Sequence, residues 1–308
     1  MTPKELLSAW DIGEVVSASP IRSYSGGATA VAAASGERYV LKRRGTPESV
    51  KDEFDLLTAL KESGVPVAVP VRTKTGAPYL TADGSSYCLY PRLRGEVVRE
   101  HYSRVAPERT RRFGRAIALL HVALLKWRPE ATAPGLDLVS SVKGWALPAI
   151  GRHADQVDCG RVAAMGDEYL AELEPLAAEL PMQWIHRDIH PGNMLFAGDE
   201  LTGILDFEMV RRGPRLFDPC YCATSILIGG WQDPGNRMAW PGLLKELIAG
   251  YEETIPLTEP ERKAIFSVLS GIEFIFMAFC LEHEQYGPAR CNQDVLSWLH
   301  DSRARIGV

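Results

Sequence analysis

Asp188 and Asn193 stand five residues apart in Ile185-His186-Arg187-Asp188-Ile189-His190-Pro191-Gly192-Asn193-Met194, a polar stretch enclosed by apolar residues. Pro191 and Gly192 forbid a regular helix between them, so the chain must turn, and both side chains can point into one site. A second apolar run, Ile204-Leu205-Asp206, ends in another acid where a strand would deliver it to the same edge. Two acids and an amide suit a divalent cation of the Mg²⁺ kind, which takes oxygen ligands and is usually held by one or two carboxylates plus phosphate oxygens. A carboxylate left over can accept the proton of an attacking alcohol. The chemistry this predicts is phosphoryl transfer.

Such a reaction also needs positive charge and close backbone at the phosphates. Ser25-Gly26-Gly27 falls between two strand-like runs, where small residues let backbone amides approach an anion. Lys42 ends the strand-like Tyr39-Val40-Leu41-Lys42. In the helix that follows, Val50, Phe54, Leu57 and Leu60 form an apolar stripe with Glu53 on its inward side, where an unpaired carboxylate is costly. Two readings of Glu53 stand: it pairs with a cation, Lys42 being the nearest in sequence, or it snorkels at the stripe's edge.

The elements that must position these residues fall into two groups. Residues 4–10 fit one short helix, and residues 15–42 fit two or three antiparallel strands joined by tight turns. A helix runs from Pro47 to about Lys61, and strand-like pieces follow at 69–73 and 86–90. After Pro91-Arg92-Leu93-Arg94-Gly95 helical periodicity takes over, with helices expected at 107–126, 162–180, 217–228, 241–254, 259–283 and 292–305. Residues 128–160 carry several Gly and Pro without a period and look like an irregular insertion. The expected fold class is α+β: a small antiparallel β-rich lobe with one key helix over 1–94, a hinge near 90–95, and a larger, mostly helical lobe over 95–308.

The 308 residues suffice for two modest domains, and a net charge of −5 argues against a general nucleic-acid binder. Residues 1–94 hold 12 Lys+Arg against 10 Asp+Glu and the remainder 22 against 29, which suggests an anion for the first part and a cationic partner for the second. No apolar stretch approaches the roughly 20 residues needed to span a bilayer, and the start of the chain lacks a basic-then-apolar signal pattern. The expectation is a cytoplasmic protein without membrane or nucleic-acid partners. None of the six cysteines makes a C-x-x-C pair, so buried free thiols are expected.

The order of strand-Lys42, helix-Glu53, hinge, His186-Arg187-Asp188…Asn193 and Asp206 resembles the protein-kinase-like fold. Asp188-Ile189-His190-Pro191-Gly192-Asn193 resembles the branch of aminoglycoside phosphotransferases, choline kinases and homoserine kinases, whose loop reads H-x-D-x-x-P-x-N. The likeness covers roughly residues 20–225. His190 replaces the lysine usual in eukaryotic-type protein kinases, Phe207-Glu208 replaces their Phe-Gly after the metal aspartate, and Arg187 replaces the glycine common in this branch. The resemblance implies ATP and Mg²⁺ as cofactors and a small-molecule hydroxyl, such as an antibiotic, amino sugar, choline or homoserine, as acceptor. It implies Asp188 as catalytic base, and Asn193 and Asp206 as metal ligands. Lys42, held by Glu53, would meet the α/β-phosphates beneath a loop of Ser25, Gly26 and Gly27. Pro91 and Leu93 would contact adenine through a carbonyl and an amide. Asp218 resembles the family's downstream aspartate that braces the catalytic loop, though a helix cap fits it as well. Glu208, His190 and Glu273 are candidate acceptor contacts; for Glu273 core packing is the plainer alternative. A protein kinase of the same branch and a nucleotide-binding module without transfer activity are the other function classes.

Overall fold

Burial alternates along Arg38–Arg44, with Tyr39 and Leu41 buried on one face and Lys42 and Arg44 on the other, as a strand covered on one side requires. This is the third strand of a five-stranded antiparallel sheet in the computed structural model, which describes residues 2–21, 27–128 and 135–307. Its strands are β1 (Val15–Ile21), β2 (Ala28–Ala33), β3 (Arg38–Arg44), β4 (Leu80–Ala82) and β5 (Ser85–Pro91), in the order β1-β2-β3-β5-β4. The short helix α1 (Pro3–Leu7) puts Leu6 and Leu7 into a core with Val31, Tyr39, Leu41 and Leu89. Helix α2 (Pro47–Glu62) starts with Thr46, whose hydroxyl accepts from the Ser49 amide, and buries Val50, Phe54, Leu57 and Leu60. A second sheet, in the order β6-β8-β9, comprises β6 (Glu96–Val97), β8 (Met194–Ala197) and β9 (Glu200–Ile204).

The chain divides into two compact units. The first gathers Met1–Glu96, Lys126–Ala131 and Leu195–Glu208, and the second Val97–Leu125, Thr132–Met194 and Met209–Val308. The second unit holds helices α3 (Ala106–Leu124), α4 (Cys159–Ala177), α5 (Phe217–Gly229), α6 (Pro234–Glu252), α7 (Glu259–Glu282) and α8 (Tyr286–Asp301), with a ribbon of β7 (Met182–Ile185) and β10 (Arg211–Pro214). Helices α3 and α6 touch backbone to backbone: a Cβ on Gly114 would lie 2.0 Å from the Leu247 carbonyl oxygen, and one on Gly250 1.9 Å from that of Arg111. Glycine is the only residue either contact admits. Helix α7 opens with a capping box of Thr258 and Glu261, and fully buried Glu261 also takes a two-pronged bond from Arg215, at 2.7 Å on each oxygen.

Three expectations need correction. Residues 69–73 form no strand; Val71 instead donates one backbone bond to Leu89. Within the supposed irregular insertion, Leu138–Gly151 is helical throughout, its middle wound as a π-turn at Val142–Ala146, while residues 129–134 lie outside the described part. Gly144 and Pro148 mask that helix in the sequence. Helix α7 is long and apolar enough, by length and composition, to cross a membrane, where no such stretch was expected. Of its apolar window, 83 % is buried inside the protein. All six cysteines are free thiols.

Candidate active site

In the first unit, strand periodicity sets Lys42 and Arg44 on one face of β3. The Lys42 ammonium bonds Asp206 Oδ1, and the Arg44 guanidinium bridges Glu53 and Glu208. The Tyr90 hydroxyl donates to the other Glu53 oxygen at 3.3 Å. The expected pairing of Lys42 with Glu53 is therefore replaced: Glu53 is held by Arg44, and Lys42 by Asp206. A planar guanidinium can serve two carboxylates from two edges, which a compact ammonium does less well. Burial disfavours the charged guanidinium, but the fields of Tyr90 and Glu53 and the bond to Glu53 outweigh it, and Arg44 titrates above its ordinary value. Burial, reinforced by the Glu53 charge, pushes the Tyr90 phenol well up and the Cys88 thiol up to about 12. Glu208, a candidate acceptor contact, bonds Arg44 and keeps its side chain about half exposed.

Asp206 has φ +59°, left-handed backbone that costs a residue with a Cβ of order 1 kcal/mol or more and clusters at functional sites. It sits on the wall of a cavity of about 240 Å³ that also meets Lys42, Glu53, Pro91 and Leu93. Val40, Leu57, Ala68, Leu195 and Ile204 make the rest of that wall largely apolar, which suits a flat heterocycle, while Lys42 and Asp206 supply charge at the polar end. Of the proposed phosphate loop, Ser25 and Gly26 lie outside the described residues. Gly27 is left-handed at φ +84°, a conformation that glycine adopts freely.

In the second unit, buried Ile185, Ile189 and Met194 pin a loop on which Arg187, Asp188 and His190 stay partly exposed. Asp188 is the hub. Asn193 Nδ2 donates to its carbonyl at 2.9 Å and to its carboxylate at 3.1 Å, and the Tyr221 hydroxyl donates to Oδ1 at 2.8 Å. His190 Nε2 lies 4.0 Å from Oδ1. His190 Nδ1 accepts the Gly192 amide at 3.1 Å, closing the 3₁₀ turn Pro191–Asn193 that sets the spacing between Asp188 and Asn193. His186 is buried, and its Nδ1 accepts the Asp188 amide at 3.2 Å.

Beneath this loop, the fully buried Asp218 carboxylate takes the amides of His186 at 2.7 Å and Arg187 at 2.8 Å. It also bonds His121 Nε2 at 2.9 Å, and His121 Nδ1 bonds the Tyr251 hydroxyl at 2.9 Å. Asp218 thus braces the loop and makes no cap for α5, while His121 is a satisfied core residue. Arg187 holds a left-handed φ of +66°, and burial, with the nearby charge of Arg211, lowers the proton affinity of its guanidinium.

Glu273 is 0 % exposed, so it cannot touch an acceptor. It sits in the middle of the buried face of α7, and burial raises its carboxyl well above the ordinary range. Two contributors escaped sequence reasoning, Arg44 and Tyr221. Each left a trace: Arg44 is two residues from Lys42 and so on the same strand face, and Tyr221 is three from Asp218 and so on the same helix face.

The family model for the phosphotransferase enzyme family matches residues 20–264. This chain belongs to that family and is a small-molecule kinase with an alcohol group as acceptor. It is 29 % identical over 243 residues to the homoserine kinase of Zymomonas mobilis, spanning 77 % of this chain and 70 % of that protein. With the homoserine kinase of Azorhizobium caulinodans it shares 26 % over 282 residues, 89 % of this chain and 82 % of the other. Among solved structures, a microcompartment-associated aminopropanol kinase superposes with a TM-score of 0.75 at 16 % identity, over 99 % of this chain and 97 % of that one. An aminoglycoside phosphotransferase from Alicyclobacillus acidocaldarius gives 0.68 at 18 % over 100 % and 97 %. These structures carry the protein-kinase-like fold.

Proposed function

We propose that this kinase uses ATP and transfers the γ-phosphate directly to a hydroxyl of a small molecule, with no covalent enzyme intermediate. The observation that carries the reading is the Asp188 carboxylate, oriented by Asn193 and Tyr221 on a loop whose amides are fixed by buried Asp218. Asp188 orients the acceptor O–H and takes its proton as the bond from oxygen to γ-phosphorus forms and the β–γ bridge breaks. Lys42 neutralises the α/β-phosphates, and Pro91 and Leu93 bound the adenine. Asn193 and Asp206 each offer an oxygen of the kind Mg²⁺ takes, and such an ion would supply charge neutralisation at the phosphates. Residues 1–94 bind the nucleotide and 95–308 carry the catalytic and acceptor-binding residues, in a cytoplasmic enzyme. The homoserine kinase relatives make homoserine one acceptor to test, and an antibiotic acceptor would make the activity a resistance function.

The test is Mg²⁺-dependent ADP release across homoserine, choline, aminoglycosides, macrolides and amino sugars, with Asp188→Asn alongside. One compound raising turnover well above the no-acceptor rate, abolished in the variant, supports the reading. A rate that no compound raises while ATP still binds would turn it toward a protein acceptor or a binding role.

A further inference from the structure

The second unit contains a cavity of about 590 Å³ that starts at Tyr221, the residue whose hydroxyl donates to Asp188 Oδ1 at 2.8 Å. The candidate base and this cavity therefore share a side chain. Ile228, Ile272, Phe276 and Pro288 line it, Phe276 stacks on Tyr221 with ring centroids 5.4 Å apart, and the amide of Asn292, also on the wall, donates to the Pro288 carbonyl at 2.9 Å. Among the described residues that line it there is no Asp, Glu, Lys, Arg or His. The hydroxyls of Thr224 and Ser225 are already spent on the carbonyls of Tyr221 and Cys222, each at 3.1 Å. The Cys291 thiol on its wall is held above its ordinary value, chiefly by burial.

A cationic or zwitterionic body entering this space would leave water and meet no opposite charge. An apolar body would gain from every contact. The volume lies within the range of pockets that enclose drug-sized ligands and well above what a four-carbon amino acid fills. We propose that this cavity receives the body of the acceptor, and that the acceptor is an uncharged alcohol carried on an apolar or aromatic skeleton. The inference rests on the phosphotransferase reading above, but it concerns the chemistry of the cavity and can fail separately. It reverses the expectation of a cationic acceptor drawn from the acidic balance of residues 95–308.

The experiment measures binding of 4-phenylbutan-1-ol, a neutral aryl alcohol, by calorimetry on the whole chain. Wild type is compared with Ile228→Asp, and homoserine and kanamycin serve as competitors. Ile228 is 39 % exposed, so an aspartate there is tolerated by the fold. The expected result is binding that weakens at least tenfold in Ile228→Asp and that neither competitor displaces. No binding to the wild type, unchanged binding in the variant, or displacement by homoserine or kanamycin overturns the proposal. Should the probe bind as expected while no alcohol is phosphorylated, the kinase reading and the acceptor role of the cavity fail together, and only its preference for neutral apolar alcohols stands.

Discussion

At the scale of single residues, ion pairing in the first unit is set by geometry rather than by nearness in sequence. Arg44, with its side chain only 6 % exposed, holds Glu53 and Glu208 together. Arg44→Met leaves the Glu53 carboxylate largely buried with only the Tyr90 hydroxyl. Removing one partner of a buried pair costs about 3 kcal/mol, and urea unfolding of the variant is expected to show a loss of that size. Glu273 gives a prediction with a pH signature. Its folded carboxyl binds a proton more tightly than the unfolded one, whose ordinary value is 4.5. The native state therefore holds more protons, and this group's contribution to stability falls as pH rises from about 4.5 toward its raised folded value. Glu273→Gln is expected to flatten that decline in a melting-temperature series, and parallel curves for the two proteins would contradict the assignment. Asp188, Asn193 and Asp206 were legible because they lie within 19 positions of one another in a pattern with chemical meaning. Tyr221 was not, because its bond to Asp188 spans 33 positions and only folding reveals it.

At the scale of elements, the helices of the second unit follow their apolar periodicity closely, and three of the six open at a side-chain cap, Asp158, Asp233 and Thr258. The boundaries slipped where proline sits inside a helix: α6 begins at Pro234, and Pro241 lies within it at a point taken from the sequence as its start. Leu138–Gly151 escaped because its helical run is broken by a π-turn and holds Gly144 and Pro148. The 69–73 segment has strand-like composition but makes only scattered backbone bonds, which composition cannot foretell. The contact between α3 and α6 carries the sharpest prediction at this scale. Gly114→Ala places a methyl 2.0 Å from the Leu247 carbonyl oxygen, so the helices must part. Overpacking of this kind costs about 3 kcal/mol, to be seen as a lower urea midpoint, whereas Gly144→Ala, with open space around it, should cost almost nothing.

At the scale of the whole molecule, composition and charge set bounds without choosing a substrate. Residues 95–308 are acidic, yet many of their acids meet a cation: Glu253 bonds Arg111 and Arg115, Glu172 bonds Arg303, Glu174 bonds Lys143 and Glu259 bonds Lys263. Charge counted along a chain says little about charge at a pocket, because many surface acids are neutralised by neighbours. Ligand linkage offers a global readout of the nucleotide site. A ligand at a hundred times its dissociation constant stabilises the folded state by about 2.7 kcal/mol. Mg·ATP is expected to raise the melting temperature of the wild type accordingly and that of Lys42→Ala much less. An equal rise in both would remove Lys42 from the nucleotide site.

The central claim is that Asp188 acts as the base in phosphoryl transfer. Its most direct test is the kcat of Asp188→Asn with whichever acceptor the wild type turns over, measured beside ATP affinity by calorimetry. A positioned general base contributes a factor of about 10²–10⁴. The account predicts a fall in kcat of that order with ATP affinity essentially unchanged. A kcat close to that of the wild type, at full ATP occupancy, would contradict it.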